Sequence, residues 1–164
     1  MARKLLLEKA HIENIRLYDV YRREGGYRSV EKALKSMSPD AVTEEVKKSG
    51  LRGRGGKGFH TGMKWRFLEK PEGVTSYLEV NANKSKHRNI KDRYLMEFIP
   101  HLLIEGMITS SFALGASRSY IYIRGEYAWI VDILEQAIQE AKNNGFLGKN
   151  ILGTGYDLEI YVQR

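Results

Sequence analysis

A glycine-rich segment between residues 53 and 58 is the part of the sequence whose residue types and spacing could bind a ligand. Gly53, Gly55 and Gly58 have the G-x-G-x-x-G spacing of dinucleotide-binding loops. That fingerprint has to follow a strand and open a long helix, whereas these glycines follow a predicted helix that ends near Gly50. No Gly-Lys-Ser/Thr sequence closes the segment, so it is not a P-loop. Two interpretations remain open: a structural turn, or a backbone that closely approaches a flat or phosphorylated ligand.

Positive charge is concentrated around this segment. The chain of 164 residues carries 27 Lys+Arg and 20 Asp+Glu, a net charge of +7. The window 47–93 contains 13 basic and four acidic side chains, so it carries +9 and the remainder carries −2. Arg52, Arg54, Lys57 and Lys64 place cations beside the glycines, where they could attract phosphates, nucleic acid or an acidic protein. A solvated, lysine-rich surface would give the same pattern.

The composition excludes several kinds of protein. With 42% hydrophobic, 10% aromatic and 29% charged residues, the chain has enough apolar side chains for one core and is neither disordered nor collagen-like. It has no cysteine, which excludes disulfides, thiol catalysis and an iron–sulfur cluster on this chain. No apolar stretch is long enough for direct membrane insertion. His11, His60, His87 and His101 do not have the spacing of metal ligands.

Hydrophobic periodicity and capping signals predict an α/β chain. The first 50 residues are predicted to be mainly helical, with Ser38 as the N-cap of a helix that begins at Pro39. Thr61 is predicted to cap a short helix that extends to Leu68. Further predicted elements are strands at 76–81, 119–124 and 157–162, and helices at 101–116 and 126–143. Strand, helix and strand in succession predict parallel strands joined by right-handed crossovers.

Several longer motifs resemble one protein family. They are SGLRGRGGKGFHTGMKW at 49–65, KDR at 91–93, PHLLIEGM at 100–107, YIYIRGEY at 120–127 and GFLGKNILG at 145–153. In this order they resemble the flavin-bearing, NADH-oxidising subunit of NADH-quinone oxidoreductase, the NuoF-type subunit of respiratory complex I. The resemblance implies a Rossmann-like βαβ sandwich, the FMN-binding α/β domain of that subunit, over residues 49–164. An N-terminal helical segment at 1–48 would precede it.

The resemblance also implies a set of ligand-binding residues. The FMN-binding residues would be Gly53, Arg54, Gly55, Lys64, Asn81, Asn83 and Lys84. Those for NADH would be Phe59, Phe67 and Lys86, with the two phenylalanine rings stacking on the nicotinamide cofactor. The motifs identify no catalytic residue and no metal ligand.

Two departures from the family pattern bear on function. Family members continue beyond the position of Arg164 into a four-cysteine domain that carries an iron–sulfur cluster. We therefore expect a truncated or divergent domain that retains FMN binding at most, without full NADH dehydrogenase activity from this chain alone. Where the family has carboxylates, this chain has Asn83, Lys84 and Lys86. An ammonium group can donate hydrogen bonds but cannot accept them, which weakens the expectation that NADH binds.

The charge reversal in this loop leaves a second hypothesis open. In it, a basic surface binds an anion without catalysis, the anion being nucleic acid or an acidic protein partner. The residues of that surface would be Arg52, Arg54, Lys57, Lys84, Lys86 and Arg88. Under both hypotheses the resemblance implies protein partners in a larger complex. It also implies a cytoplasmic or mitochondrial-matrix location, peripheral to the membrane through that complex.

Overall fold

Helices fill the N-terminal third of the chain, and helices alternate with strands in the remainder. The computed structural model describes residues 5–54, 57–69, 73–82 and 90–164. The helices are α1 (Tyr18–Arg23), α2 (Arg28–Ser36), α3 (Pro39–Lys48), α4 (Thr61–Arg66), α5 (Ile90–Phe98), α6 (Pro100–Leu114) and α7 (Ala128–Asn143). The strands are β1 (Ser76–Ala82), β2 (Ala116–Ile123) and β3 (Glu159–Gln163). Short 3₁₀ helices lie at Leu5–Leu7, Gly125–Tyr127 and Ile151–Gly153.

Capping signals in the sequence account for several helix ends. The Ser38 hydroxyl accepts a hydrogen bond from the backbone N–H of Ala41 at 3.2 Å, which confirms Ser38 as the N-cap of α3. Pro39 is the first helical residue, where its missing N–H costs no hydrogen bond. Gly115 has a φ of 73°, the left-handed conformation that glycine adopts most readily, and it ends α6.

The described strands form one parallel sheet in the order β1-β2-β3, which confirms the predicted α/β class. Leu78 pairs with Ser119, and Ser119 pairs in turn with Ile160. Helices α5 and α6 lie between β1 and β2 in the chain, and α7 lies between β2 and β3. Helix α6 packs on β1 and β2 while α7 packs on β3 and on α6, so these helices cover one face of the sheet. Ile121 and Ile123 of β2 are buried in the resulting core.

The N-terminal helices pack into the same core. Tyr21 of α1 and Val30 of α2 belong to one hydrophobic cluster with Ile104 of α6 and Leu134 of α7. At Gly26, between α1 and α2, an added Cβ would lie 2.2 Å from ring atoms of Tyr21, so this turn needs glycine. The division of the chain into residues 1–48 and 49–164 stays a prediction, and the two segments share these buried contacts.

A buried hydrogen-bond network joins the N-terminal helices to α6 and α7. His101 of α6 is fully buried, with Nδ1 2.7 Å from the Tyr27 hydroxyl and Nε2 3.1 Å from a carboxylate oxygen of Glu140. The same carboxylate oxygen accepts the backbone N–H of Tyr18 at 2.8 Å. A neutral imidazole satisfies both partners, because Nε2–H donates to Glu140 while Nδ1 accepts from Tyr27.

Burial and hydrogen bonding lower the pKa values of His101 and Glu140 and raise that of the neighbouring Tyr21. Burial lowers the pKa of His101 below 6.5, although Glu140 favours the charged imidazolium. Burial raises the pKa of Glu140, but hydrogen bonds from Gln136, the Tyr18 N–H and His101 outweigh it and hold that pKa below 4.5. Burial, followed by the nearby Glu105 carboxylate, raises the pKa of Tyr21 well above 10.0.

We expect the free energy of unfolding to fall on both the acid and the alkaline side of neutral pH. Below about pH 6.5 the unfolded chain protonates its histidine while folded His101 stays neutral, so stability decreases as the pH falls. Glu140 adds to this loss as the pH falls below about 4.5 towards its lowered folded pKa. Above about pH 10 the unfolded chain ionises its tyrosines while Tyr21 keeps its proton, so stability decreases again. Urea-unfolding midpoints across this pH range measure the effect.

The Tyr21→Phe variant provides the control for the alkaline side. It should reduce the alkaline decrease without removing it, because burial also raises the pKa values of Tyr27 and Tyr156. It should leave the acid decrease in place, because His101 and Glu140 are unchanged. A midpoint that rises from about pH 7 to pH 5 would contradict the assignment of a neutral, buried His101.

Candidate functional site

The glycine-rich segment is anchored by a short antiparallel contact with the start of α4. The N–H of Gly53 donates to the Phe59 carbonyl at 2.9 Å, and the N–H of Thr61 donates to the Leu51 carbonyl at 2.8 Å. Helix α4 begins at Thr61 with His60 as its N-cap, so the predicted cap lies one residue too late. Helix α4 ends at Arg66, two residues before the predicted end at Leu68, because Phe67 and the residues after it leave the helical hydrogen-bond pattern.

Gly62 holds α4 against α3. A Cβ at this position would lie 2.5 Å from the Cα and backbone N of Lys47, a distance that no side chain tolerates. Gly62 therefore has a packing role that the sequence motifs did not reveal. It fixes where the cations of α4 lie relative to α3, and Arg66 forms an ion pair with Glu44 of α3 at 3.2 Å.

A cleft of about 540 Å³ lies at the carboxyl end of β1, between α5 and α6. Its lining combines the end of β1, the inner side of α5, one side of α6, and two residues from outside these elements. The lining residues are Leu6, Arg54, Leu78, Val80, Asn81, Ala82, Asp92, Leu95, Met96, Leu102, Leu103, Gly106, Met107 and Ser110. Most of these residues are apolar, and the polar ones are Arg54, Asn81, Asp92 and Ser110. The carboxyl ends of parallel strands are the usual place for a ligand in α/β folds.

Gly106 leaves this cleft open on the side of α6. An added Cβ at Gly106 would meet no atom within 4 Å outside its own helix turn. Gly106 lies in the middle of a long helix, where glycine destabilises by about 1 kcal/mol relative to alanine. The missing side chain therefore enlarges the cleft and lowers the stability of α6.

Two of the predicted FMN-binding residues line the cleft together. Arg54 comes from the glycine-rich segment and Asn81 from the end of β1, so residues 27 positions apart in the sequence meet at one site. Gly53 is adjacent to Arg54 in the chain, and Lys64 is exposed on α4, but neither lines the cleft. The assignment of these residues to FMN stays a prediction. Gly55, Asn83 and Lys84 lie outside the described residues.

The predicted NADH and anion-binding residues are only partly described. Phe59 and Phe67 are 54% and 68% exposed and do not line the cleft. Arg52 and Lys57 are exposed beside the glycines, and Arg52 donates to the Gly58 carbonyl at 3.4 Å. Lys86 and Arg88 lie outside the described residues, so both sets stay predictions.

Several residues of the cleft were absent from the sequence-based predictions. Leu95 and Met96 of α5, and Leu102, Gly106 and Ser110 of α6, have the pattern of ordinary helix residues in the sequence. A glycine in the middle of an otherwise apolar helix is the signal that could have indicated α6 as a cleft wall.

Metal ligands and membrane spans are both absent from the described part of the chain. It contains no group of three or more histidine or carboxylate side chains arranged to hold a metal ion. Its helices are too short or too polar to cross a membrane.

Comparison with known proteins decides the family. Residues 46–164 match the model of the Nuo51 FMN-binding domain. The chain belongs to this family. The resemblance inferred from the motifs is thereby confirmed.

The chain is similar to curated proteins named as the F subunit of NADH-quinone oxidoreductase. It is 53% identical to that of Aquifex aeolicus over 98% of this chain and 37% of the relative. It is 46% identical to the F subunit numbered 2 in Rhizobium meliloti, over 100% of this chain and 39% of the relative. For Escherichia coli the identity is 50%, over 88% of this chain and 33% of the relative. The chain therefore spans about a third of the length of these relatives.

Solved structures share the fold. The NAD⁺-reducing NiFe hydrogenase in its air-oxidized state matches with a TM-score of 0.68 and 27% identity, over 96% of this chain and 24% of the hydrogenase chain. The H₂-reduced state matches with a TM-score of 0.62 and 35% identity, over 76% of this chain and 21% of the other.

Proposed function

We propose that this chain holds FMN in the cleft between β1, α5 and α6, as the flavin-binding part of a larger assembly of the NADH-quinone oxidoreductase type. The observation that carries the proposal is the convergence of Arg54 and Asn81 on one largely apolar cleft at the end of a parallel strand. Family membership supports the choice of FMN over other flat ligands, because the matching family model is that of an FMN-binding domain.

The residues of the cleft are suited to FMN in size and in chemistry. The volume of about 540 Å³ lies within the usual range for small-molecule sites. Apolar walls formed by Val80, Leu102 and Met107 would accept the flat ring system, and the opening at Gly106 leaves room for it. Arg54 would pair with the phosphate, since a guanidinium binds phosphate oxygens with two parallel hydrogen bonds.

Polar residues at the cleft would orient the flavin. The Asn81 amide can both donate and accept hydrogen bonds, as the ribityl hydroxyls and the ring edge require, and the Ser110 hydroxyl can do the same. When bound, FMN supplies hydride and single-electron chemistry, and the protein contributes binding and orientation. This division agrees with a site that has shape and hydrogen-bonding groups but no identified catalytic acid or base.

The Arg54→Gln variant should bind FMN about 10- to 100-fold more weakly than the unmodified chain, because a charge-assisted hydrogen bond contributes about 1.5–3 kcal/mol. Titration of the purified chain with FMN, followed by quenching of flavin fluorescence, measures the dissociation constant. The unmodified chain is expected to bind at about micromolar concentration.

The matched control is Arg23→Gln on α1, which removes the same charge from an exposed position outside the cleft. It should leave FMN affinity within about twofold. Failure of the unmodified chain to bind FMN at micromolar concentration would refute the proposed function. Equal weakening in both variants would attribute the effect of Arg54 to net charge rather than to the site.

Within the same proposal, Phe59 and Phe67 are the described residues that would contact NADH. Their exposed rings offer free faces for stacking on a nicotinamide or adenine ring. The relatives are named as subunits, and we propose that protein partners supply the electron acceptor for this chain, which itself has no cysteine for an iron–sulfur cluster.

A further inference from the structure

The face of the sheet opposite α6 and α7 carries four tyrosines and is open to solvent in the described part of the chain. We call it the tyrosine face and define it by Tyr77, Glu79, Arg118, Tyr120, Tyr122 and Tyr161. Strand register places these residues side by side: Tyr77 beside Arg118, Glu79 beside Tyr120, and Tyr120 beside Tyr161.

The rings of Tyr77, Tyr120 and Tyr161 form a continuous row across the three strands. The ring centroids of Tyr77 and Tyr120 are 6.1 Å apart, and those of Tyr120 and Tyr161 are stacked at 5.5 Å. Tyr77 is 55% exposed, and Tyr122 and Tyr161 are 43% and 42% exposed. Between the rings runs a shallow groove of about 380 Å³. Large exposed aromatic surfaces of this kind are enriched at protein interfaces.

The charges of this face favour a protein over a nucleic acid. Glu79 makes no ion pair with any described residue, whereas neighbouring Glu159 is paired with Lys142 at 3.0 Å. Arg118 is the only cation among the six residues of the face. The tyrosine face therefore lacks the cluster of positive charges with which proteins bind the phosphates of a nucleic acid. A basic side chain on a partner would meet Glu79 directly.

Parallel sheets are normally covered by helices on both faces. Here α6 and α7 cover one face, while about two thirds of the length of each curated relative lies outside the region that this chain spans. We propose that the tyrosine face docks an amphipathic helix from that additional two thirds, whether it is joined to this chain or presented by a second polypeptide. The helix would lay an aliphatic stripe on Tyr120 and Tyr161 and place a lysine or arginine opposite Glu79.

Co-expression tests this proposal. The tagged chain is co-expressed with the part of the Aquifex aeolicus relative that lies outside the matched region, and the complex is isolated through the tag and measured by light scattering. The chain with Tyr120→Glu should lose at least about 100-fold in affinity, because a carboxylate would be buried against an apolar stripe. The Trp129→Glu variant is the control, since Trp129 is 45% exposed on α7, away from this face.

A second measurement does not depend on folding of the Tyr120→Glu variant. Nitration of exposed tyrosines, mapped by mass spectrometry, should slow at Tyr77, Tyr122 and Tyr161 in the complex and stay unchanged at Tyr94 on α5. Three outcomes would overturn the proposal: no complex, equal nitration in the free and bound chain, or a complex that Tyr120→Glu and Trp129→Glu weaken equally. Protection of the face by self-association of the chain alone would also overturn it, in favour of a second copy as the occupant.

Discussion

The Gly106→Leu variant is expected to lose FMN binding by about 100-fold or more while keeping or gaining thermal stability. The leucine side chain would project into the cleft, since no atom outside the helix lies within 4 Å of the Cβ position. It would occupy space that the flavin ring needs. Helix α6 itself should tolerate the change, because leucine favours a helix interior by several tenths of a kcal/mol or more over glycine.

Two further variants test whether the loss of FMN binding comes from a side chain that fills the cleft or from an unspecific effect of adding a leucine to the fold. Gly106→Ala should raise the melting temperature and weaken FMN binding less than Gly106→Leu, because a methyl group fills less of the cleft. Glu135→Leu adds the same side chain at an exposed position of α7 outside the cleft, and it should leave the dissociation constant unchanged. If Gly106→Leu retained the original FMN affinity in the same fluorescence titration, the cleft would not be the flavin site.

The His101→Leu variant is expected to lower the free energy of unfolding by about 3 kcal/mol. Leucine fills much of the volume of the imidazole, so the loss comes from hydrogen bonds rather than from a cavity. The buried Tyr27 hydroxyl would lose its partner, and the Glu140 carboxylate would lose one of its donors. In a protein of this length the change corresponds to a decrease of roughly 6–12 °C in melting temperature.

A double-mutant cycle tests whether the loss comes from the hydrogen bond to Tyr27. Combining His101→Leu with Tyr27→Phe removes both partners of that bond, so the double variant should lose less stability than the two single losses together. His11→Leu changes an exposed histidine and should shift stability by less than about 0.5 kcal/mol. Strictly additive single losses would show that His101 and Tyr27 stabilise the fold independently.

The sequence was most informative where a local signal determines the structure. Ser38 and Pro39 predicted the start of α3 because capping depends on a few neighbouring residues. The helix predicted at 101–116 is α6, but it ends at Leu114 with Gly115 as its C-cap, two residues earlier than predicted. The βαβ arrangement followed from alternating patterns and was confirmed by the parallel pairing of all three described strands. The cap of α4 was predicted one residue too late, because His60 occupies that position without a side-chain cap hydrogen bond and so leaves no capping signal in the sequence.

Features that depend on distant contacts could not be predicted. Helix α5 was not predicted. Its nine residues have only a weak apolar face, and none of them is a serine or threonine that could mark a helix cap. The partnership of His101 with Tyr27 and Glu140 joins residues separated by 74 and 39 positions. The family motifs indicated Arg54 and Asn81, but the walls of α5 and α6 that complete the cleft emerged only from the fold.

The hydrogen bond from the Tyr18 N–H to Glu140 spans 122 positions of the chain. During synthesis at about 5–20 residues per second, the first helices would wait roughly 6–24 seconds before their partner on α7 is made. The rings of Tyr21 and Tyr27, which are buried in the finished protein, lack their partners on α6 until that helix is made, and α7 follows later still. The contacts that complete the core are therefore among the last that the growing chain can form, and the N-terminal helices reach their final packing only after α7 has been made.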